Sequence, residues 1–144
     1  MVSIEIRYQG ELRCEAVHGP SGRAILTDAP ADNHGRGESF SPTDLVAAAL
    51  GACMATIMGI VAQRHAIDLT GLRVTVEKDM ASVPTRRIAR LTTVIQLPHD
   101  PGEEHRRLLE AAALQCPVHA SLRPDVERPV TFRWGSLPPA PSRP

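Results

Sequence analysis

Two of the three cysteines in this 144-residue chain stand in settings that could do chemistry. Cys116 is followed by Pro117, and proline suits the first turn of a helix. Cys116 would then cap that helix, with the amides of Val118 and His119 aimed at its sulfur. The free N–H groups of a helix N-terminus carry partial positive charge and so favour thiolate over thiol. The plainer reading is a capping residue without chemistry, and these residues alone do not decide between the two. His119 could act as a proton acceptor for Cys116, though on a short helix such a residue is more often simply exposed. Cys116-x-x-His119 could also ligate zinc. A structural zinc needs four ligands, and no second closely spaced pair accompanies this one, so no metal site is expected.

Cys53 lies inside an uncharged run, residues 45–62, with Ala49, Leu50, Thr56 and Ile57 one turn away on either side. Composition alone makes it a small apolar filler. Reactivity would require a nearby cation or strong donors, because burial raises a thiol above its reference value of about 8.5. Cys14, between Leu12 and Ala16 on an alternating strand, reads as core. Phosphate-loop, dinucleotide and serine-elbow patterns are absent.

The elements that must position these sulfurs can be read from periodicity. Residues 2–8 alternate with period two, with Val2, Ile4, Ile6 and Tyr8 in phase. Gly10 breaks this strand, and Leu12, Cys14 and Ala16 mark a second. Gly19-Pro20-Ser21-Gly22 is a turn, and a third strand covers residues 23–27, giving an antiparallel meander. After a polar loop, Ser41 as N-cap, Pro42 at the first helical position and Asp44 as capping acid open a helix. That helix should run to Arg64 or His65. Ala47, Gly51, Ala55 and Gly59 form a small-residue ridge on it, where another long helix or the same helix of a second subunit could approach. Leu72, Val74 and Val76 mark a fourth strand, residues 80–85 a loop, and residues 88–97 a fifth strand. Asp100-Pro101-Gly102-Glu103 repeats the capping logic and opens a helix to about Gln115, followed by a short helix from Pro117 to Leu122. Val130, Phe132 and Trp134 close the sheet. The order gives an α+β class, with residues 1–134 one domain and 135–144 a proline-rich disordered tail.

Composition bounds the function. Acidic and basic residues balance at 16 each, which offers no electrostatic case for nucleic acid or an anionic membrane. The apolar share is 42% but aromatics are only 3%, so the core must be aliphatic and alanine-rich. Residues 45–62 reach the length of a spanning helix. Their Ala and Gly content instead suits a helix buried in a protein core, so no membrane role is expected. With no secretory pattern at Met1 and an odd cysteine count, the expectation is a cytoplasmic protein with reduced thiols.

Ser41-Pro42-Thr43-Asp44-Leu45 followed by Ala47-Ala48-Ala49-Leu50-Gly51-Ala52-Cys53 resembles the central helix of OsmC/Ohr proteins. Cys116-Pro117-Val118-His119 is similar to their second cysteine motif, and the element order from Val2 to Trp134 is similar too. The resemblance implies an OsmC-like fold, with antiparallel sheets around a long central helix in an intertwined homodimer. It also implies a thiol-dependent peroxidase without cofactor. Cys53 would attack a small-molecule hydroperoxide, Cys116 would resolve the sulfenic acid, and a dithiol or lipoyl-type reductant would regenerate the pair. The peroxidases of the family carry a glutamate ten residues before the helix cysteine, where this chain has Thr43. Asp44 lies nine helical steps of about 100° from Cys53 and so points the opposite way. Their catalytic arginine falls near Pro20, which leaves Arg23 as the candidate cation. The chain thus resembles a less characterised branch without the Glu/Arg clamp. The alternative is a dimer that binds a small hydrophobic or electrophilic molecule, with little or no peroxidase activity.

Overall fold

The computed structural model describes residues 1–135 and divides into two compact units, Met1–Val46 and Ala47–Pro144. The expected proline-rich tail lies, from residue 136 on, outside the described residues.

In the first unit, β1 (Ile4–Gly10), β2 (Arg13–His18) and β3 (Ala24–Asp28) form the expected antiparallel meander. Period two and the register sort the side chains. Tyr8 opposes Cys14, Ile6 opposes Ala16, and Ala16 in turn opposes Ile25, so these residues share one apolar face. The other face carries Glu5, Arg7 and Glu15, with Arg7 pairing to Glu5 at 3.0 Å and to Glu15 at 3.5 Å. The apolar face is open: Ile4, Ile6 and Tyr8 are 60%, 59% and 66% exposed. Cys14 is therefore only partly buried, a correction to its reading as core. Leu12 also moves. It belongs to the hairpin turn and not to β2, with Glu11 and Leu12 both at positive φ (51° and 62°), as a two-residue primed turn demands.

Asp28 ends β3 in a fully buried position and organises the loop that follows. Its carboxylate accepts from the Glu38 amide at 3.0 Å, and its own amide donates to the Phe40 carbonyl at 3.1 Å. The Glu38 amide hydrogen bond, helped by the Arg13 charge, holds the Asp28 carboxyl below its ordinary value against the opposing effect of burial. The loop delivers Ser41 to the start of α1 (Pro42–His65). The capping box forms as its residues dictate. Asp44 N–H donates to Ser41 Oγ at 3.2 Å, and Ser41 N–H donates back to Asp44 Oδ2 at 2.8 Å.

In the second unit, α1 continues and buries Ala47, Leu50, Gly51, Met54, Met58 and Ala62, a single face at helical spacing. The small-residue ridge does not serve a second helix at Gly51. A Cβ there would come within 3.1 Å of Val76 and 3.3 Å of Val74, so its missing side chain lets α1 settle onto β4 (Arg73–Ala81). At Gly59 a Cβ would meet nothing within 4 Å. The opposite side of α1 stays apolar and open, with Ala48, Ala49, Ala52 and Ile60 exposed. The helix is long and apolar enough to cross a membrane, with mean hydropathy 2.3 in its most apolar window, but 33% of that window is buried within the chain. The expected core helix is thus one-sided.

β4 pairs antiparallel with β5 (Arg87–Leu97), whose Leu91, Thr93, Ile95 and Leu97 are all fully buried at alternate positions. Met80 and Ala81, expected in a loop, extend β4. β6 (Val130–Trp134) pairs with β5 in parallel, so the sheet is mixed, in place of the expected all-antiparallel one. The reason is topological. Two helices, α2 (Glu103–Leu114) and α3 (Pro117–Ser121), lie between these strands, and a helical crossover returns the chain in the same direction. The start of α2 also shifts. Gly102, at φ 90°, takes the N-cap position, and Asp100 bonds the Gly102 amide and Arg106 from outside the helix.

Ala66 follows α1 at φ 52°, and Ile67 N–H reaches back to the Ala62 carbonyl at 2.9 Å, the longer of the two Schellman bonds. A left-handed L-residue costs about 1–2 kcal/mol, partly offset when glycine replaces it by the larger unfolded-state entropy of glycine. Ala66→Gly should therefore stabilise the chain by about 0.5–1 kcal/mol, seen in calorimetry as a melting temperature higher by roughly 2–4 °C. An unchanged or lower melting temperature would show that this turn is unstrained.

Candidate active site

Cys116 is built into the junction of two helices. After α2, Gln115 N–H bonds the Ala112 carbonyl at 3.1 Å and Cys116 N–H bonds the Ala113 carbonyl at 3.3 Å. This tight turn, seated on the buried Leu109, Ala112 and Ala113, swings Cys116 to the N-cap of α3 with φ −58° and ψ 130°. Pro117 occupies the first helical position, where it loses no hydrogen bond. The His119 amide donates to Cys116 Sγ at 3.4 Å, and the Val118 amide acts on the same sulfur.

Cys53 approaches from the other side. It is partly buried near the middle of α1, while Cys116 is fully buried. The two side chains are close enough for each thiol to feel the other electrostatically. The fold thus brings together two sulfurs that are 63 positions apart (116 − 53) in the sequence.

The electrostatics of Cys116 run against the simple helix-terminus expectation. Burial pushes its thiol up, and the neighbouring Cys53 pushes it the same way. The His119 and Val118 amides pull it down without prevailing. Cys116 is a thiol that keeps its proton at neutral pH. His119 is depressed, chiefly by burial and then by the charge of Arg128, so its imidazole stays neutral.

Arg23 is exposed on the β2–β3 turn of the first unit, where its backbone bonds His18 and Ser21. Thr43 lies in the first turn of α1, with its hydroxyl 3.2 Å from Ser41 Oγ. Asp44 commits an oxygen to the cap of α1. No cluster of three or more His, Cys, Asp or Glu able to hold a metal occurs among the described residues. A surface hollow of about 510 Å³ is lined by Glu103, Glu104, Arg107, Leu108 and Ala111 of α2 and by neither thiol.

Sequence reasoning missed Arg128. It is partly buried, and its Nη1 donates to the His119 carbonyl at 2.6 Å. The signal was available in the alternation of β6. Counting back by twos from Trp134 through Phe132 and Val130 puts Arg128 on the inward face, where a charge is unusual.

Residues 35–128 match the family model described as OsmC-like protein. A crystal structure from Psychrobacter arcticus 273-4, provisionally described as an osmotic stress induced and detoxification response protein, is 41% identical. That match covers 92% of this chain and 96% of the other, with a TM-score of 0.86. An organic hydroperoxide resistance protein OsmC from Legionella pneumophila superposes with a TM-score of 0.75 at 18% identity, over 92% of this chain and 96% of that one. One from Elizabethkingia anophelis, an organic hydroperoxide resistance protein with thiocyanate bound, gives 0.74 at 19% identity over 93% and 97%. At such identities these two show a shared fold. No curated protein sequence matches the chain.

The raised Cys116 thiol makes a signed prediction. A group whose folded pKa lies above its unfolded value adds stability below the unfolded value, about 8.5 for a thiol, and loses it as pH rises through the folded value. Urea unfolding under reducing conditions should show stability falling above about pH 8.5, by at most about 1.4 kcal/mol per pH unit from this one group. In Cys116→Ala that part of the slope should vanish even though overall stability drops. Parallel curves for the two proteins would contradict the assignment.

Proposed function

The chain belongs to the OsmC-like family, and from that premise we propose that it is a cysteine-dependent redox protein that reduces organic hydroperoxides as a homodimer. The observation that carries the proposal is the closeness of Cys53 on α1 to the buried, amide-capped Cys116 at the start of α3. The two sulfurs have different roles because their surroundings differ. Cys116 is fully enclosed and holds its proton, so it is the poorer initial nucleophile. Cys53, on α1, is less buried than Cys116, which suits it to meet the substrate first.

In the first step the Cys53 thiolate attacks the terminal oxygen of the hydroperoxide. An S–O bond forms, the O–O bond breaks, and the alkoxide leaves and takes up a proton. Cys53 is then a sulfenic acid. Cys116 attacks its sulfur, the S–O bond breaks, and the Cys116 proton departs with the hydroxyl as water, leaving a Cys53–Cys116 disulfide. A dithiol or lipoyl-type reductant exchanges with this bridge, becomes a disulfide itself and restores both thiols. The amides of α3 have a place in the second step, since they stabilise negative charge on Cys116 as its proton leaves.

The open apolar faces of the β1–β3 sheet and of α1 support the homodimer. Ile4, Ile6, Tyr8 and Ile25 on the sheet and Ile60 on the helix leave more apolar surface uncovered than scattered exposure explains. A second copy of the chain covers them in this reading. Light scattering should give twice the 15.6 kDa chain mass, and Ile6→Asp should shift the protein toward monomer or aggregate. A stable wild-type monomer would refute the dimer.

The activity is tested by consumption of tert-butyl and cumene hydroperoxide with dihydrolipoamide, compared with hydrogen peroxide. Turnover should favour the organic peroxides. Cys53→Ser should abolish it, and Cys116→Ser should allow a single turnover only. Thr43, in place of the acid that peroxidases of this family carry, leaves no carboxylate at that position to tether a cation. Turnover is expected to be lower by about 10²–10³ than in relatives that carry the clamp. Binding of apolar electrophiles with no peroxide consumption by wild type would favour the alternative, a ligand-binding dimer.

A further inference from the structure

α3 has only five residues, and its internal support is slight. Ala120 N–H bonds the Cys116 carbonyl at 3.1 Å, and Ser121 Oγ bonds the Pro117 carbonyl at 2.8 Å. So short a helix does not hold its shape by itself. Yet its first amides must stay on the Cys116 sulfur if they are to act on it.

The segment after α3 supplies a rigid anchor. Glu127 N–H bonds the Ala89 carbonyl at 2.9 Å, Leu91 N–H bonds the Glu127 carbonyl at 2.8 Å, and Thr93 N–H bonds the Pro129 carbonyl at 2.9 Å. These bonds extend the parallel β5–β6 ladder below Val130 and fix the backbone on both sides of Arg128. By alternation Arg128 shares the inward face with Val130, Phe132 and Trp134. Its guanidinium reaches α3 and donates to the His119 carbonyl at 2.6 Å. Other arginines nearby meet carboxylates: Arg90 pairs with Glu127 at 3.1 Å and Arg123 with Asp125 at 2.9 Å. Among the described residues Arg128 is held by a carbonyl instead. A cation at the C-terminal end of α3 also complements the dipole of that helix.

We propose that Arg128 is the positioning residue of the thiol pair: by clamping the His119 carbonyl to the β5–β6 sheet, it keeps the first amides of α3 on the Cys116 sulfur. The role rests on Cys116 being the resolving thiol. Resolution needs negative charge to develop on that sulfur, and a loosened α3 would withdraw the donors that receive it. The groups acting on the sulfur are Cys53 from α1 and the Val118 and His119 amides from α3. The depressed imidazole of His119 places the Arg128 charge close to this helix and agrees with the clamp.

The test uses a full-length Cys14→Ser, Cys53→Ser background, in which Cys116 is the sole thiol. Its thiolate is followed by ultraviolet absorbance against pH. Arg128→Met should lower the thiolate population at a fixed pH about three- to tenfold, equivalent to a rise of about half to one pKa unit. Arg128→Lys and Arg128→Gln keep a donor for the carbonyl and should stay within about twofold of the parent. Hydrogen exchange at the His119 amide should quicken in Arg128→Met and not in the other two. Arg128→Ala replaces the Met variant if that variant does not fold. An unchanged Cys116 titration in a natively folded Arg128→Met protein would overturn the proposal. So would an equal shift in Arg128→Gln, because the charge alone would then be acting. Peroxide is not needed for this experiment, so failure of hydroperoxide turnover strikes the redox reading separately.

Discussion

The sulfur of Cys116 is closed off from water and placed beside a second sulfur, and most of the Ala47–Pro144 unit follows from that requirement. Desolvation favours the protonated thiol, while two backbone amides favour the anion, and the first effect prevails at rest. A buried thiol that keeps its proton at rest, beside a less buried one, suits a pair that must act in sequence. To reach this arrangement, the chain must end α2 sharply, turn through Gln115 and Cys116 and restart a helix within two residues. Pro117 makes that restart inexpensive, because its missing N–H falls where no intrahelical bond is made.

The sheet supplies the rigidity. β5 presents Leu91, Ile95 and Leu97 as a continuous buried row, and α1 lies against β4 where Gly51 meets Val74 and Val76. A bulkier residue at Gly51 would lift α1, and Cys53 half a turn further along would move with it. The same packing uses only one side of α1. The open side, like the open face of β1–β3, has apolar character that a lone chain in water leaves unsatisfied. Both thiols of the pair belong to one chain, and the open apolar surfaces are the ones the proposed assembly would cover.

Local rules carried the sequence reading a long way. The capping box at Ser41 and Asp44, the period of β1 and β5, and the proline after Cys116 each act over a few residues, and each produced the element it implies. What escaped was set by distant partners. The direction of β6 depends on the crossover before it, and no property of Val130, Phe132 or Trp134 encodes it. The role of Gly51 depends on which element faces it, so the small-residue ridge suggested a helix where a strand stands. Leu12 alternates correctly with Cys14 yet sits in a turn, because the hairpin needs two residues at positive φ between Gly10 and Arg13. Arg128 was legible by period two, but reading it required extending β6 backwards through Pro129.

The central claim is that Cys53 and Cys116 form one functional pair and Cys14 stands apart. The most direct measurement is peptide mapping of the reduced protein after one equivalent of cumene hydroperoxide, with remaining thiols blocked in acid. The account predicts a single intrachain disulfide joining Cys53 to Cys116, with Cys14 recovered as the blocked thiol. A bridge that contains Cys14, or a stable Cys53 sulfenic acid with Cys116 still free, would contradict it.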